Sequence, residues 1–243
     1  MYGFIFKDLR VNLKNIALFG IGMVFFNLLP FAAAASDDGA DENTFLYKFL
    51  GVLTVVSSFY ILGMLETSIF DADERKKWAY YAASSEAGVE GQIGSKYIVI
   101  YLMSMFGVIW CNILNSLSID LADNSFNTFS LAFGLFFIQI FLRAVDIPFI
   151  VAFSSKKGNN VRAVILIIFI FALAVYLLFG DLSYFGNSME GFWDKFFKLM
   201  DANNSPKIVI VISLLEIAVI PLYYLSYRIS CKYYLKGVDS YDK

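Results

Sequence analysis

Long apolar runs, separated by short polar segments, set the pattern of this chain. Six runs approach or exceed the length of a bilayer span, at 16–35, 46–70, 97–117, 129–153, 161–179 and 208–227. A membrane-crossing helix needs about 20 mainly apolar residues, because each residue rises about 1.5 Å and the hydrocarbon layer is about 30 Å thick. The pattern therefore predicts an all-α polytopic membrane protein with six transmembrane helices. No repeat of fixed period and no Pro- or Ser-rich linker divides it, so residues 1–243 read as one transmembrane domain.

Two shorter segments have a different rhythm. In "MYGFIFKDLRVNLKN", Phe4, Leu9 and Leu13 fall on one helical side, with Lys7, Arg10 and Lys14 toward the other. That is the pattern of a helix lying in the membrane interface. In "SMEGFWDKFFKLM", Met189, Trp193, Phe196 and Met200 follow helical spacing, and Ser188 is placed to cap the start. This second segment reads as an interfacial helix on the opposite membrane side.

The densest charge lies in "FDADERKKWAYYAASSEAG", residues 70–88. Asp71 followed by Glu74 suggests an N-cap with a capping-box partner. Acids precede bases, the order favoured by the helix dipole, and Asp73 and Lys77 are four apart. Trp78, Tyr81 and Ala82 share one side. These features predict a short helix below the second span. It reads either as a solvated loop with its aromatics on the headgroups or as a docking helix for a partner groove.

Composition supports the bilayer. Hydrophobic residues make up 59% and charged residues 16% of the chain, against roughly 45–50% and 25% in soluble domains. A formal net charge of −2 gives no basic surface for nucleic acid. The chain has no histidine, which removes His-ligated zinc, Ser–His nucleophiles and His proton relays. Its two cysteines, Cys111 and Cys231, read as free thiols.

Lys and Arg concentrate on one set of span flanks: Lys7, Arg10, Lys14, Arg75, Lys76, Lys77, Lys96, Lys156, Lys157, Arg162, and the segment from Arg228 onward. The opposite flanks hold only Lys48, Lys195, Lys198 and Lys207, with the acidic "SDDGADE". The positive-inside rule puts both termini and the charged insert in the cytoplasm. "AAAAS" looks like a signal-peptidase site, but the preceding apolar run is longer than a signal's usual core, so the first run reads as a retained anchor.

Polar residues inside spans are costly, about 2.5–3.5 kcal/mol each at mid-helix. Gln139, Arg143 and Asp146 lie on one stripe of the fourth span, and Glu66 in the second falls at similar depth. These four predict a polar cluster near the cytosolic mouth, either fixing helix packing or serving gating and substrate passage. Glu216 in the sixth span sits nearer mid-bilayer with no matching partner. Pro30, Pro148 and Pro221 are placed to kink their spans.

Three stretches, taken together, carry a family resemblance. "DERKKWAYYAAS" followed by "GQIGSKY", "FKDLRVNLKN" at the start, and "IPFIVAFSSKKGNNVRA" after the fourth span resemble motifs of small ABC-2-type transporter permeases. The chain departs from the pattern at "AASSEAGVEGQ" and at Phe153-Ser154, where the family has Phe-Gly. The resemblance implies a membrane permease subunit of an ATP-driven exporter. It implies two P-loop ABC ATPase subunits, which hold the ATP and Mg, and a second permease subunit, in a homo- or heterodimer. Asp73, Glu74, Arg75, Trp78 and Tyr81 would carry the ATPase coupling, and the N-terminal helix would be the elbow. It places the chain in the cell membrane, the bacterial inner or plasma membrane.

The residues speak to one part of this directly. ATP hydrolysis needs a phosphate cradle such as G-x-x-x-x-G-K-[ST]. "GQIGSKY" has the wrong spacing, and Gly91 and Gly94 read as a turn before the third span. No cofactor is therefore expected on this chain. The apolar bundle suits a hydrophobic or amphipathic substrate, and the resemblance implies a peptide, toxin or antibiotic. Two other readings remain at this level: a membrane immunity or scaffold protein without transport, and an intramembrane enzyme centred on Glu66 or Asp146.

Overall fold

The computed structural model describes residues 2–35, 44–76, 81, 84–122, 127–153, 155–180, 189–200 and 206–238. They form α1 (Tyr2–Val11), α2 (Leu13–Ala35), α3 (Thr44–Lys76), α4 (Gly88–Ala122), α5 (Phe129–Phe153), α6 (Ser155–Phe179), α7 (Met189–Met200) and α8 (Pro206–Val238), with no strand among them. Among the described residues, four helices are long and apolar enough to cross a membrane, within Lys48–Asp71, Gly88–Leu114, Phe129–Phe153 and Asn159–Tyr176. The bent pair Tyr2–Val11 and Leu13–Leu28 makes a fifth if counted as one span.

The helices run past the apolar runs because backbone hydrogen bonding does not stop where hydropathy does. α3 continues unbroken through Asp71 to Lys76. Asp71 is therefore not an N-cap, which needs non-helical backbone. It lies inside a helix that began at Thr44, and the Asp71–Glu74 capping box does not form. Likewise α4 begins at Gly88, nine residues before the apolar run at Tyr97, and takes Gly91 and Gly94 into its first turns. The predicted glycine turn thus moves upstream. Gly88 has φ of 57°, a region that side-chain-bearing residues rarely occupy, and its N–H donates to the Ser85 carbonyl at 2.9 Å. At Gly91 a Cβ would collide with the Ala87 side chain, so the missing side chain lets the turn at Ala87–Gly88 close onto the first turn of α4, while the Phe4 ring of α1 would be in ordinary contact.

α5 is the central rod. It packs against α8 most extensively, and also against α6, α4 and α3. α2 leans on α3, and α1 lies on α4. Two apolar clusters fill the interior. One joins Val55 and Phe59 of α3, Val108 and Cys111 of α4, Ala132 to Ile140 of α5, and Val219 of α8. The other joins Ile69, Phe70, Ile93, Ile100, Ile147, Ile150 and Tyr234. Glu66 of α3, Ser104 of α4 and Arg143 of α5 lie between the stretches of their helices that enter these two clusters. By contrast, α6 shows Val164 and Ile167 through Phe171 on its surface, as a lipid-facing helix does.

α1 meets α2 at a 63° bend, with Asn12 at the junction. The Asn12 carboxamide donates to the Asp8 carbonyl at 2.9 Å, and its oxygen accepts from Ser68 of α3 at 3.3 Å. A side chain that bonds its own backbone competes with helix continuation, which accounts for the break. Leu9 and Leu13 are exposed, while Asp8 and Asn12 are buried and Ile5 packs on the core. The side of α1 that faces the bundle is therefore Ile5–Asp8–Asn12, a mostly polar line that hydrophobic spacing does not reveal. On the far side, α7 stacks Phe192, Trp193, Phe196 and Phe197, and Trp193 meets Phe49 of α3 edge-on at 6.3 Å. Phe197 is the buried member; the predicted face named Phe196 instead. Ser188 lies outside the described residues, as do the side chains of Met189 and Met200.

Candidate functional site: a buried polar layer and the α3–α4 junction

Arg143 is fully buried on α5, and its guanidinium reaches three groups. Nε donates to Glu66 Oε2 at 2.6 Å, Nη1 to Asp146 Oδ2 at 3.0 Å, and Nη2 to the Gly63 carbonyl. Glu66 Oε1 also accepts from Gln139 Nε2 at 2.7 Å and Ser104 Oγ at 2.8 Å. Gln139, Arg143 and Asp146 share the stripe that their spacing requires, and Glu66 faces it from α3. The structure thus brings these four residues into contact. Sequence reasoning missed Ser104 and the Gly63 carbonyl. A lone Ser in an apolar run, or a backbone oxygen, gives no signal of depth or direction.

Fixed in this way, the layer has one cation held between two carboxylates, with both Glu66 oxygens hydrogen-bonded. A buried ion pair is stable only when such extra bonds replace water. The side chain of Glu216 lies outside the described residues.

The second group of predicted residues lies where α3 ends. The side chains of Asp73, Glu74 and Arg75, and the whole of Trp78 and Ala82, lie outside the described residues. Tyr81 is described and is 63% exposed. It joins Ser85, Glu86 and Ala87 on one side, and Gly3, Phe4 and Lys7 of α1 on the other, in lining an open groove of about 680 Å³.

The first turns of α4 hold the junction together. Gln92, Ser95, Lys96 and Tyr97 are all buried. Ser95 Oγ donates to Asp8 Oδ2 of α1 at 3.2 Å. Lys96 Nζ donates to the Ile69 carbonyl of α3 at 2.9 Å and lies 4.8 Å over the Phe70 ring. Tyr97 shares hydrogen bonds with Ser226 at 2.7 Å and Ser230 at 2.9 Å, both on α8. Lys96, counted above among the flanking bases, is thus 1% exposed and bonded inside the fold. The "SKY" of the third span and the "KD" of the first segment meet in space, which sequence distance conceals.

Around this point α8 returns the contact. Tyr223 donates to the Tyr97 carbonyl at 2.8 Å, Tyr234 to Gln92 Oε1 at 2.9 Å, and Tyr227 to the Glu90 carbonyl at 3.3 Å. Half-buried Cys231 packs here. Burial raises its thiol pKa and Glu90 adds to this, while the Tyr227 hydroxyl and Arg228 oppose it. Only the thiolate reacts with alkylating reagents, and the raised pKa lies above pH 7. In a Cys111→Ser variant, the iodoacetamide rate at Cys231 should therefore climb about tenfold per pH unit and keep climbing beyond about pH 8.5, where an ordinary thiol levels off. A plateau near that pH would show the local environment to be different.

Among the described residues, no three of His, Cys, Asp or Glu are grouped to hold a metal ion. A family model described as ABC-2 family transporter protein matches residues 3–235 of the chain. Neither curated proteins nor solved structures give a match.

Proposed function

The chain belongs to the ABC-2 family of transporter proteins, and from that premise we propose that it is the membrane permease subunit of an ATP-driven exporter. The observation that carries this reading is the extent of the match, which runs from α1 nearly to the end of α8. A phosphate cradle is not found in the sequence, which supports placing ATP and Mg on a separate P-loop ATPase. The working unit is two permease and two ATPase subunits. Six helices cross the bilayer, with the α1–α2 pair as elbow and first span and α8 as the sixth. Both termini and residues 71–87 face the cytoplasm, in accord with the Lys/Arg asymmetry.

In this arrangement the segment around Asp73, Glu74, Arg75, Trp78 and Tyr81 is the ATPase-docking surface. Exposed Tyr81 and the groove beside α1 support this placement. The Glu66–Gln139–Arg143–Asp146 layer fixes the register of α3, α4 and α5 between the two apolar clusters. The exported substrate is hydrophobic or amphipathic, in keeping with a bundle whose polar side chains are largely spent on one another.

Purification separates this from a scaffold and from an intramembrane enzyme. The tagged chain, extracted from its native membrane in mild detergent, should retain a P-loop ATPase in roughly equimolar amount. That ATPase should hydrolyse Mg-ATP at a rate that changes when the permease is removed. Recovery of the chain alone, from cells shown to make its neighbouring ATPase, would exclude the permease reading.

A further inference from the structure

We propose that Ser95, Lys96 and Tyr97 form a three-way clasp that makes the start of α4 move as one body with α1, the end of α3 and α8. This rests on the permease reading and concerns how motion at the docking segment enters the bundle.

The three residues are consecutive on one helix, so they point about 100° apart around it. Each engages a different helix: Ser95 to Asp8 of α1, Lys96 to the Ile69 carbonyl of α3, and Tyr97 to Ser226 and Ser230 of α8. Burial makes these bonds hard to exchange for water. Lys96 is 1% exposed and Ser95 0%, and a buried polar group without its partner is strongly disfavoured. Lys96 is the member that spans the junction. Its stem crosses from α4 to the last turns of α3, and its ammonium lies over Phe70, one residue before the charged segment begins. A displacement of residues 77–87 pulls on α3 at one end and α4 at the other, and Lys96 ties those two ends directly.

The α8 tyrosines reinforce the same body. Tyr223, Tyr227 and Tyr234 all donate to α4 between Glu90 and Tyr97. The Glu66–Arg143 layer lies further along α3 and α5 and belongs to a separate set of contacts. Lys96 and Tyr97 are thus positioning residues, which act by tying together the helices on either side of the docking segment.

The test uses the full chain with its ATPase in nanodiscs. Spin labels replace exposed Ile167 on α6, outside the clasped body, and exposed Tyr233 on α8, inside it, in a Cys111→Ser, Cys231→Ser background. Distances are measured without nucleotide and after trapping with Mg-ATP and vanadate. The parent should show a nucleotide-dependent shift. Lys96→Met should capture the ATPase in the parent's ratio yet lose at least about half of that shift, and Lys96→Arg should restore it. Tyr97→Phe removes only the hydroxyl and should also reduce the shift, which keeps the idea testable if Lys96→Met fails to fold. A full shift in the Met and Phe variants with unchanged capture overturns the clasp while leaving the permease reading intact. If the parent itself captures no ATPase, the permease reading and the clasp fall together.

Discussion

Replacing Arg143 with glutamine is expected to lower the thermal stability of the detergent-solubilised chain more than any other single change in the bundle. The guanidinium is buried and bonds Glu66, Asp146 and the Gly63 carbonyl together. Its removal leaves two buried carboxylates without their shared cation, Glu66 keeping only the bonds from Gln139 and Ser104. Breaking a buried pair by removing one partner costs about 3–5 kcal/mol, because the remaining charge is uncompensated. The loss should appear as a large drop in the melting midpoint followed by size-exclusion chromatography. Neutralising the carboxylates as well, with Glu66→Gln and Asp146→Asn, should recover most of it, since an uncharged hydrogen-bonded set carries no stranded ion. An unshifted midpoint in Arg143→Gln alone would show that the layer does not hold the helices. Normal stability with failed transport in the neutralised variant would assign the charges to gating instead of packing.

The second large effect lies outside the membrane. Trp78→Ala combined with Tyr81→Ala should abolish ATPase capture while leaving the melting midpoint of the permease unchanged. Buried aromatic anchors at interfaces contribute at least about 2 kcal/mol each, a factor of roughly 30 in affinity. Tyr81 is exposed in the isolated chain, so its truncation removes no described core contact. A pull-down from membranes with the double variant and the parent side by side reads this directly. Undiminished capture would move the docking surface elsewhere, the groove along Gly3, Phe4 and Lys7 being the next place to probe.

Several parts of the site were legible before any coordinates because they depend on one helix alone. The stripe of Gln139, Arg143 and Asp146 follows from 3.6-residue periodicity, and Glu66 followed from counting depth along a second span. Other parts were not. Ser95, Lys96 and Tyr97 looked like a motif at the mouth of a span, and their separate targets on α1, α3 and α8 could not be read from spacing. Lys96 looked like a flanking charge because hydropathy assigns cations to water, yet a neighbouring backbone carbonyl and an aromatic ring hold it inside. The Asp71 capping signal failed because a cap works only where the preceding residue is not already helical, and α3 arrives there as a helix. Asp8 and Asn12 went unnoticed on the inner side of α1 because amphipathic analysis seeks apolar residues facing the bundle.

By itself, the sequence determined the medium, the helical class and the polar stripe. All three arise from quantities summed over one segment: apolar length against bilayer thickness, and residue spacing against helical pitch. Tertiary structure alone decided where helices begin and end beyond the lipid, which side of α1 turns inward, and which helices the α4 start ties together. Those outcomes depend on pairwise contacts between residues as far apart as Asp8 and Ser95 or Tyr97 and Ser230. A hydrogen bond acts over about 3 Å, so only the folded arrangement brings its partners within range.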